Sequence, residues 1–203
     1  MAEISSGSAT LQLANSYLPA FHFSEKHGID SIKAPAAVIL AAAKNYDDRK
    51  DRVVNFLQTV REVPARIAAA FGSKNALAGR ARFGLADFLL LEQTGNEIAF
   101  GLIGKFWKLD YGLVKLANAG EFCKFSDPGH GKLVTVWSVL PGGDGTHRLV
   151  TETRIQCPDR RSRFMFSLYW VAIRLASGWI RMRILKQLKR DAELAAGLEQ
   201  RMK

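Results

Sequence analysis

Residues 160–203, RRSRFMFSLYWVAIRLASGWIRMRILKQLKRDAELAAGLEQRMK, decide how the rest of the chain is read. No proline follows Pro158, and Gly178 and Gly197 are the only glycines, so little in the stretch interrupts a helix. It opens apolar and aromatic, Phe164-Met165-Phe166-Ser167-Leu168-Tyr169-Trp170, and then turns basic, with 11 Lys/Arg against 3 Asp/Glu overall. A long terminal helix that closes a run of strands buries its apolar face by lying across the sheet. Residues 160–192 are expected to form that helix, with Leu168, Val171, Ala172 and Leu175 toward the sheet. Gly178 is a natural bend, because an interior glycine costs about 1 kcal/mol relative to alanine. The apolar run from Phe164 to Ile180 is 17 residues long and contains Arg174. A spanning helix needs roughly 20 apolar residues, and a central arginine adds about 2.5–3.5 kcal/mol, so burial against protein is the better reading.

Working back from the helix, Lys132–Leu140 and Thr146–Cys157 read as a hairpin joined by Pro141-Gly142-Gly143-Asp144-Gly145. Gly120–Ser126 reads as a strand ended by the turn Asp127-Pro128-Gly129. Asp87–Gln93 and Glu97–Gly104 form a second hairpin across Thr94-Gly95-Asn96. Within it, Ile98, Phe100 and Leu102 alternate with Ala99 and Gly101, so one face leaves room for a bulky group to approach. Phe21–Ile32 reads as the first strand, and Ala36–Lys44 as a short apolar helix with Pro35 at its first position. A second helix begins near Asp51 on the spacing of Val53, Phe56, Leu57, Val60, Ile67 and Phe71, breaks or kinks at Pro64 and ends at Gly72. Residues 1–16, rich in Ser, Ala and Gly, read as a flexible tail, and 17–203 as a single domain. Strands grouped together between helices give an α+β class.

The formal charge of +10 sits almost wholly in the terminal segment, since residues 1–159 hold 18 basic against 16 acidic side chains. A solvated helix face, an anionic membrane surface and nucleic acid could each account for it, nucleic acid being the least favoured. Two cysteines without Cys-x-x-Cys spacing, and no secretory leader, fit a reduced protein of the cytoplasm.

Motifs for chemistry are absent. His22, His27, His130 and His147 have no metal-ligand spacing, so neither a metal nor a cofactor is expected. Gly104-Lys105 lacks the glycine and hydroxyl residue of a phosphate loop, and no nucleophile elbow or dinucleotide fingerprint occurs. The sharpest polar cluster is Thr151-Glu152-Thr153-Arg154. On a strand, Leu149, Thr151, Thr153 and Ile155 share the more apolar face, which is therefore placed inward. Two hydroxyls would then reach a cavity, while Glu152 and Arg154 pair on the outer face as surface charges. The inverted orientation would make Glu152 a buried carboxylate and a candidate acid or base.

The order of elements resembles the helix-grip fold of the START-like, or SRPBCC, superfamily over about residues 20–192. The resemblance is carried by Ile32-Lys33-Ala34-Pro35, Gly101-Leu102-Ile103-Gly104-Lys105-Phe106-Trp107, Gly120-Glu121-Phe122 with Phe125, Gly143-Asp144-Gly145-Thr146, Thr151-Glu152-Thr153-Arg154 and Tyr169-Trp170. It is similar to the polyketide-cyclase and lipid-transport-like branch. That likeness implies a curved antiparallel sheet gripping the terminal helix, two short helices after the first strand, and an apolar cavity between sheet and helix. On this reading Phe100, Leu102, Trp107, Phe122, Phe125, Trp137, Thr151, Thr153 and Tyr169 line a site for a small hydrophobic molecule. The expected function is binding or carriage of a lipid or polyketide-like ligand. An aromatase or cyclase using the same cavity is the alternative, to be separated by whether two or more ionisable side chains converge there. A peripheral membrane or partner-docking protein is the third, and it needs an exposed apolar strip beside Arg181, Arg183, Lys186 and Arg190.

Overall fold

The computed structural model describes residues 11–46, 87–108 and 110–201. The helix expected from Asp51 lies outside them. The described elements are α1 (Gln12–Tyr17), β1 (Phe23–Ile32), α2 (Ala36–Lys44), β2 (Leu89–Gln93), β3 (Glu97–Gly104), α3 (Ala119–Lys124), β4 (Gly131–Pro141), β5 (His147–Gln156) and α4 (Arg160–Arg201). The five strands form one antiparallel sheet in the order β1-β5-β4-β3-β2. The protein is thus α+β, with an open five-stranded sheet and a long C-terminal helix.

Strand alternation divides the sheet into two apolar faces. Ile98, Phe100, Trp137, Val139 and Leu149 form one core with Ile39 and Leu40 of α2 and Leu185, Leu188 and Ala192 of α4. On the same face, nearer the start of α4, Leu102, Ile155 and Phe106 surround Phe166. Ala99, Ile103, Val134, Val136 and Val150 point the other way and are covered by Leu11, Leu13, Ala14 and Leu18 around α1 and by Phe122 of α3.

Two expectations are corrected on that second face. Residues 11–16 are not a loose tail, because Leu11, Leu13 and Ala14 are buried and Glu97 Oε2 accepts the Leu13 backbone N–H at 2.9 Å. The stretch expected as the strand 120–126 is instead helical over Ala119–Lys124. Asn118 Oδ1 accepts the Glu121 N–H at 3.0 Å and Glu121 Oε2 accepts the Ala117 N–H at 2.8 Å. That is a nearly reciprocal cap, and it fixes a helix start in a sequence whose side chains suit a strand. The room left by small residues on β3 is used by this helix. A Cβ on Gly101 would lie 2.9 Å from both Leu91 methyls and 2.9 Å from Phe122 Cδ2.

α4 begins on a well-made cap. Asp159 accepts the Ser162 N–H at 2.8 Å, the Ser162 hydroxyl at 2.7 Å and the Gly129 N–H at 2.7 Å. The Gly129 bond and those from Ser162 hold its carboxyl down at about 2. The helix then runs along β1. Phe166 and Trp170 meet Phe23 at ring distances of 4.8 and 6.1 Å. Further on, Lys189 Nζ donates to the Asp30 and Ser31 carbonyls at 3.1 and 2.8 Å, and Glu193 Oε1 accepts the Lys33 N–H at 3.0 Å. Those carbonyls lie where the β1 register shifts and Ser31 takes a positive φ of 58°. A strand bulge frees backbone groups, and α4 satisfies them. The helix face differs from the expected one: Leu168 and Val171 are 56% and 77% exposed, and Phe166 is buried instead. The run 164–170 is apolar on every side, so its composition could not choose a face. The side chains of Ala172 and Leu175 lie outside the described ones.

Gly101→Val is expected to lower the unfolding free energy by about 1–3 kcal/mol through overpacking, whereas Gly95→Ala, with nothing within 4 Å of its Cβ, should be nearly neutral. Chemical denaturation of both variants checks this. Because the Asp159 carboxyl is depressed, its contribution to the helix start is present above the ordinary carboxylate range, near pH 4, and is lost as pH falls through about 2. A ¹³C titration should give a midpoint near 2 for Asp159, with Ser162 amide protection falling over the same window.

Candidate functional site

The inner face of the sheet is apolar at both ends and polar in its middle. Strand register sets Glu25 and His27 of β1 opposite Thr153 and Thr151 of β5, which in turn lie opposite Thr135 and Trp137 of β4. Side chains so paired share one face with Cβ atoms about 4.5–5.5 Å apart. The Thr135 and Thr153 hydroxyls bond each other at 2.8 Å.

Arg181 enters this patch from α4. Its Nη1 donates to Thr151 Oγ1 at 3.3 Å and its Nε stands 3.8 Å from Glu25 Oε2. The other Glu25 oxygen lies 2.7 Å from His27 Nε2. Carboxylate, imidazole and guanidinium side chains are only 10%, 21% and 19% exposed. Burial pushes the Arg181 guanidinium below its usual value, and the Glu25 charge pushes back. Gly178, one turn before Arg181, permits the approach. A Cβ there would lie 3.3 Å from Glu25 Oε1 and 3.5 Å from His27 Cε1. α4 stays helical through this glycine, so its role is close passage over β1.

Two donors in this region are unsatisfied. Trp137 Nε1 and Arg181 Nε are buried and have no hydrogen-bond partner among the described residues. At 3.8 Å the Glu25 contact attracts Arg181 Nε but is too long for a hydrogen bond. A buried donor left unpaired costs about 1–3 kcal/mol.

The residues expected to line a site fall on both faces. Phe100 and Trp137 pack at one end of the inner face, and Thr151 and Thr153 occupy the polar middle. Leu102, Trp107 and Tyr169 gather at the other end around Phe166. Phe122 and Phe125 belong to the outer face, where Phe125 meets His130 edge-on at 5.3 Å. The orientation of β5 is as expected, with the threonines inward and Arg154 Nε donating to Glu152 Oε1 at 2.5 Å on the outer face. These are not surface charges, however. Both residues are buried, because Arg154 also donates to Asn15 Oδ1 at 2.6 Å and so ties α1 down. Glu25, His27 and Arg181 do not emerge as a group from the sequence reading. The available signal is the alternation Phe23-Glu25-His27-Ile29, apolar at its ends and ionisable between, together with Gly178 one turn from Arg181.

A cavity of about 650 Å³ opens at the β2 edge, lined by Phe88, Leu89, Leu102, Leu113, Val114 and Leu116 with Asp87, Asp110 and Lys115. On α4, Phe164, Leu168 and Val171 form an exposed apolar strip, but it lies nearer the helix start than the basic residues named for docking. Of those, Arg181 turns inward to the sheet. No described helix is long and apolar enough to cross a membrane. Among the described residues no group of His, Cys, Asp and Glu side chains could hold a metal ion.

No family model matches the chain, and no curated protein matches it. Among solved structures, the crystal structure of TTHA0849 from Thermus thermophilus aligns with a TM-score of 0.30 and 9% identity, covering 86% of this chain and 99% of that one.

Gly178→Val should place methyl groups against Glu25 and His27 and destabilise the fold by about 1–3 kcal/mol. Urea unfolding at neutral pH measures it, and an unchanged midpoint would mean that α4 does not pass closely over β1.

Proposed function

We propose that this chain binds or carries a small, largely apolar molecule between the inner face of the sheet and α4, in a helix-grip arrangement of the SRPBCC, START-like kind. The observation that carries this reading is the polar middle of an otherwise apolar interface, where Trp137 Nε1 and Arg181 Nε are buried without hydrogen-bond partners among the described residues. A purely structural interface gains nothing from such groups, since an apolar residue of similar shape would avoid their desolvation cost. A ligand with an apolar body and one polar end would suit both parts of the face. The α+β order, the antiparallel sheet and the long terminal helix lend further support.

A second reading has its own observation. Glu25 and His27 stand 2.7 Å apart beside Arg181, so three ionisable side chains do converge on this face. A carboxylate held against an imidazole fixes the ring's tautomer and favours its use as a general base. A cyclase-type enzyme acting on a carbonyl-bearing chain would use that pair. His27→Gln would then abolish turnover of a poly-β-keto thioester, scored by mass as loss of water, while leaving binding intact.

Native mass spectrometry of protein purified without denaturant tests the leading reading. The expected result is a co-purifying organic molecule that organic extraction removes, and whose retention falls in Trp137→Phe. A bare polypeptide mass, both as purified and after incubation with a total lipid extract, would contradict it.

A further inference from the structure

We propose that the Trp137 indole N–H and the Arg181 Nε–H bind the uncharged carbonyl oxygen of an ester or ketone at the polar end of an otherwise apolar ligand. This rests on the binding reading above and extends it to the chemistry of the ligand's polar end. Indole and guanidinium are donors only, so what both lack is an acceptor. Trp137 is 5% exposed, and neither nitrogen has a hydrogen-bond partner among the described residues. Thr151 links them, as the cross-strand neighbour of Trp137 and the acceptor of Arg181 Nη1 at 3.3 Å.

Charge selects among acceptors. From α4 the patch receives Arg181, and from β1 it receives Glu25 and His27. The facing positions of β5 and β4 add Thr151, Thr153, Thr135 and Trp137, none of them charged at neutral pH. Among the described residues, the Glu25 carboxylate already stands opposite the Arg181 guanidinium, 3.8 Å from its Nε. A ligand carboxylate would set two anions against one guanidinium in a poorly solvated site, where like charges disfavour ionisation. A carbonyl oxygen supplies lone pairs for both donors and leaves the balance unchanged.

A matched fluorescent pair, cis-parinaric acid and its methyl ester, tests this at pH 8, where the acid is ionised. The wild-type protein should bind the ester at least about tenfold more tightly than the acid, the scale of one or two net hydrogen bonds. Trp137→Phe keeps a ring and removes the donor, so it should weaken the ester by about tenfold and change the acid by less than about twofold. Glu25→Gln uncovers the Arg181 charge and should reverse the preference. Circular dichroism confirms folding, and if Glu25→Gln fails to fold, the Trp137→Phe comparison decides alone. Equal binding of acid and ester, unchanged in Trp137→Phe, would overturn the proposal while leaving the binding reading in place. Preference for the acid in the wild-type protein would overturn it too. Failure of both probes to bind would overturn this inference and the binding reading together.

Discussion

The whole arrangement depends on α4 lying along β1 in a fixed register. Phe166 and Trp170 pack on Phe23, Arg181 reaches Glu25 and Thr151, and Lys189 with Glu193 closes the bulge that ends the strand. Helix and strand therefore advance in the same direction, anchored by aromatic packing at the start and by hydrogen bonds to backbone at the end. The middle anchor differs in kind. It consists of ionisable and hydroxyl groups whose hydrogen bonding is incomplete among the described residues. Between two apolar clusters that each bury side chains of α4, such a patch is poorly explained by stability. A buried ion pair seldom improves on well-packed apolar side chains.

The opposite face shows why the middle anchor stands out. There Glu152 and Arg154 also bury charge, but they pair with each other, and Arg154 donates to Asn15 Oδ1 and so fastens α1 over the valines of β4 and β5. Phe122 fills the space over Gly101. Polar groups on that side close a seam. Those between α4 and the sheet leave two donors without hydrogen-bond partners among the described residues.

Much of this was legible in the residues. The hairpins are visible as alternating runs around Thr94-Gly95-Asn96 and Pro141–Gly145, and β3 has the bounds its pattern indicates, Glu97–Gly104. The inward placing of Thr151 and Thr153 follows from the apolar neighbours Leu149 and Ile155. Other features were hidden for physical reasons. The segment Ala119–Lys124 is helical because Asn118 and Glu121 cap it, a three-residue spacing that outweighs the strand propensity of Phe122 and Cys123. Leu11, Leu13 and Leu18 are buried because β3 and β4 are apolar on both faces and need a second cover, a requirement expressed in the strands and not in the segment itself. The site was the least legible part. Glu25, His27 and Arg181 are brought together by the register of α4 on β1, a relation between residues more than 150 positions apart that no local pattern encodes.

The Trp137 indole N–H, buried and without a partner among the described residues, is where the polar end of a ligand is proposed to bind. Its most direct measure is the Trp137 indole signal in a ¹H–¹⁵N correlation spectrum, assigned by its loss in Trp137→Phe and followed as methyl laurate is added. This signal should move and its proton should become slower to exchange, while the indole of Trp179, exposed on α4, stays where it is. A Trp137 signal that does not move while the ester demonstrably binds, or a shift confined to Trp179, would contradict it.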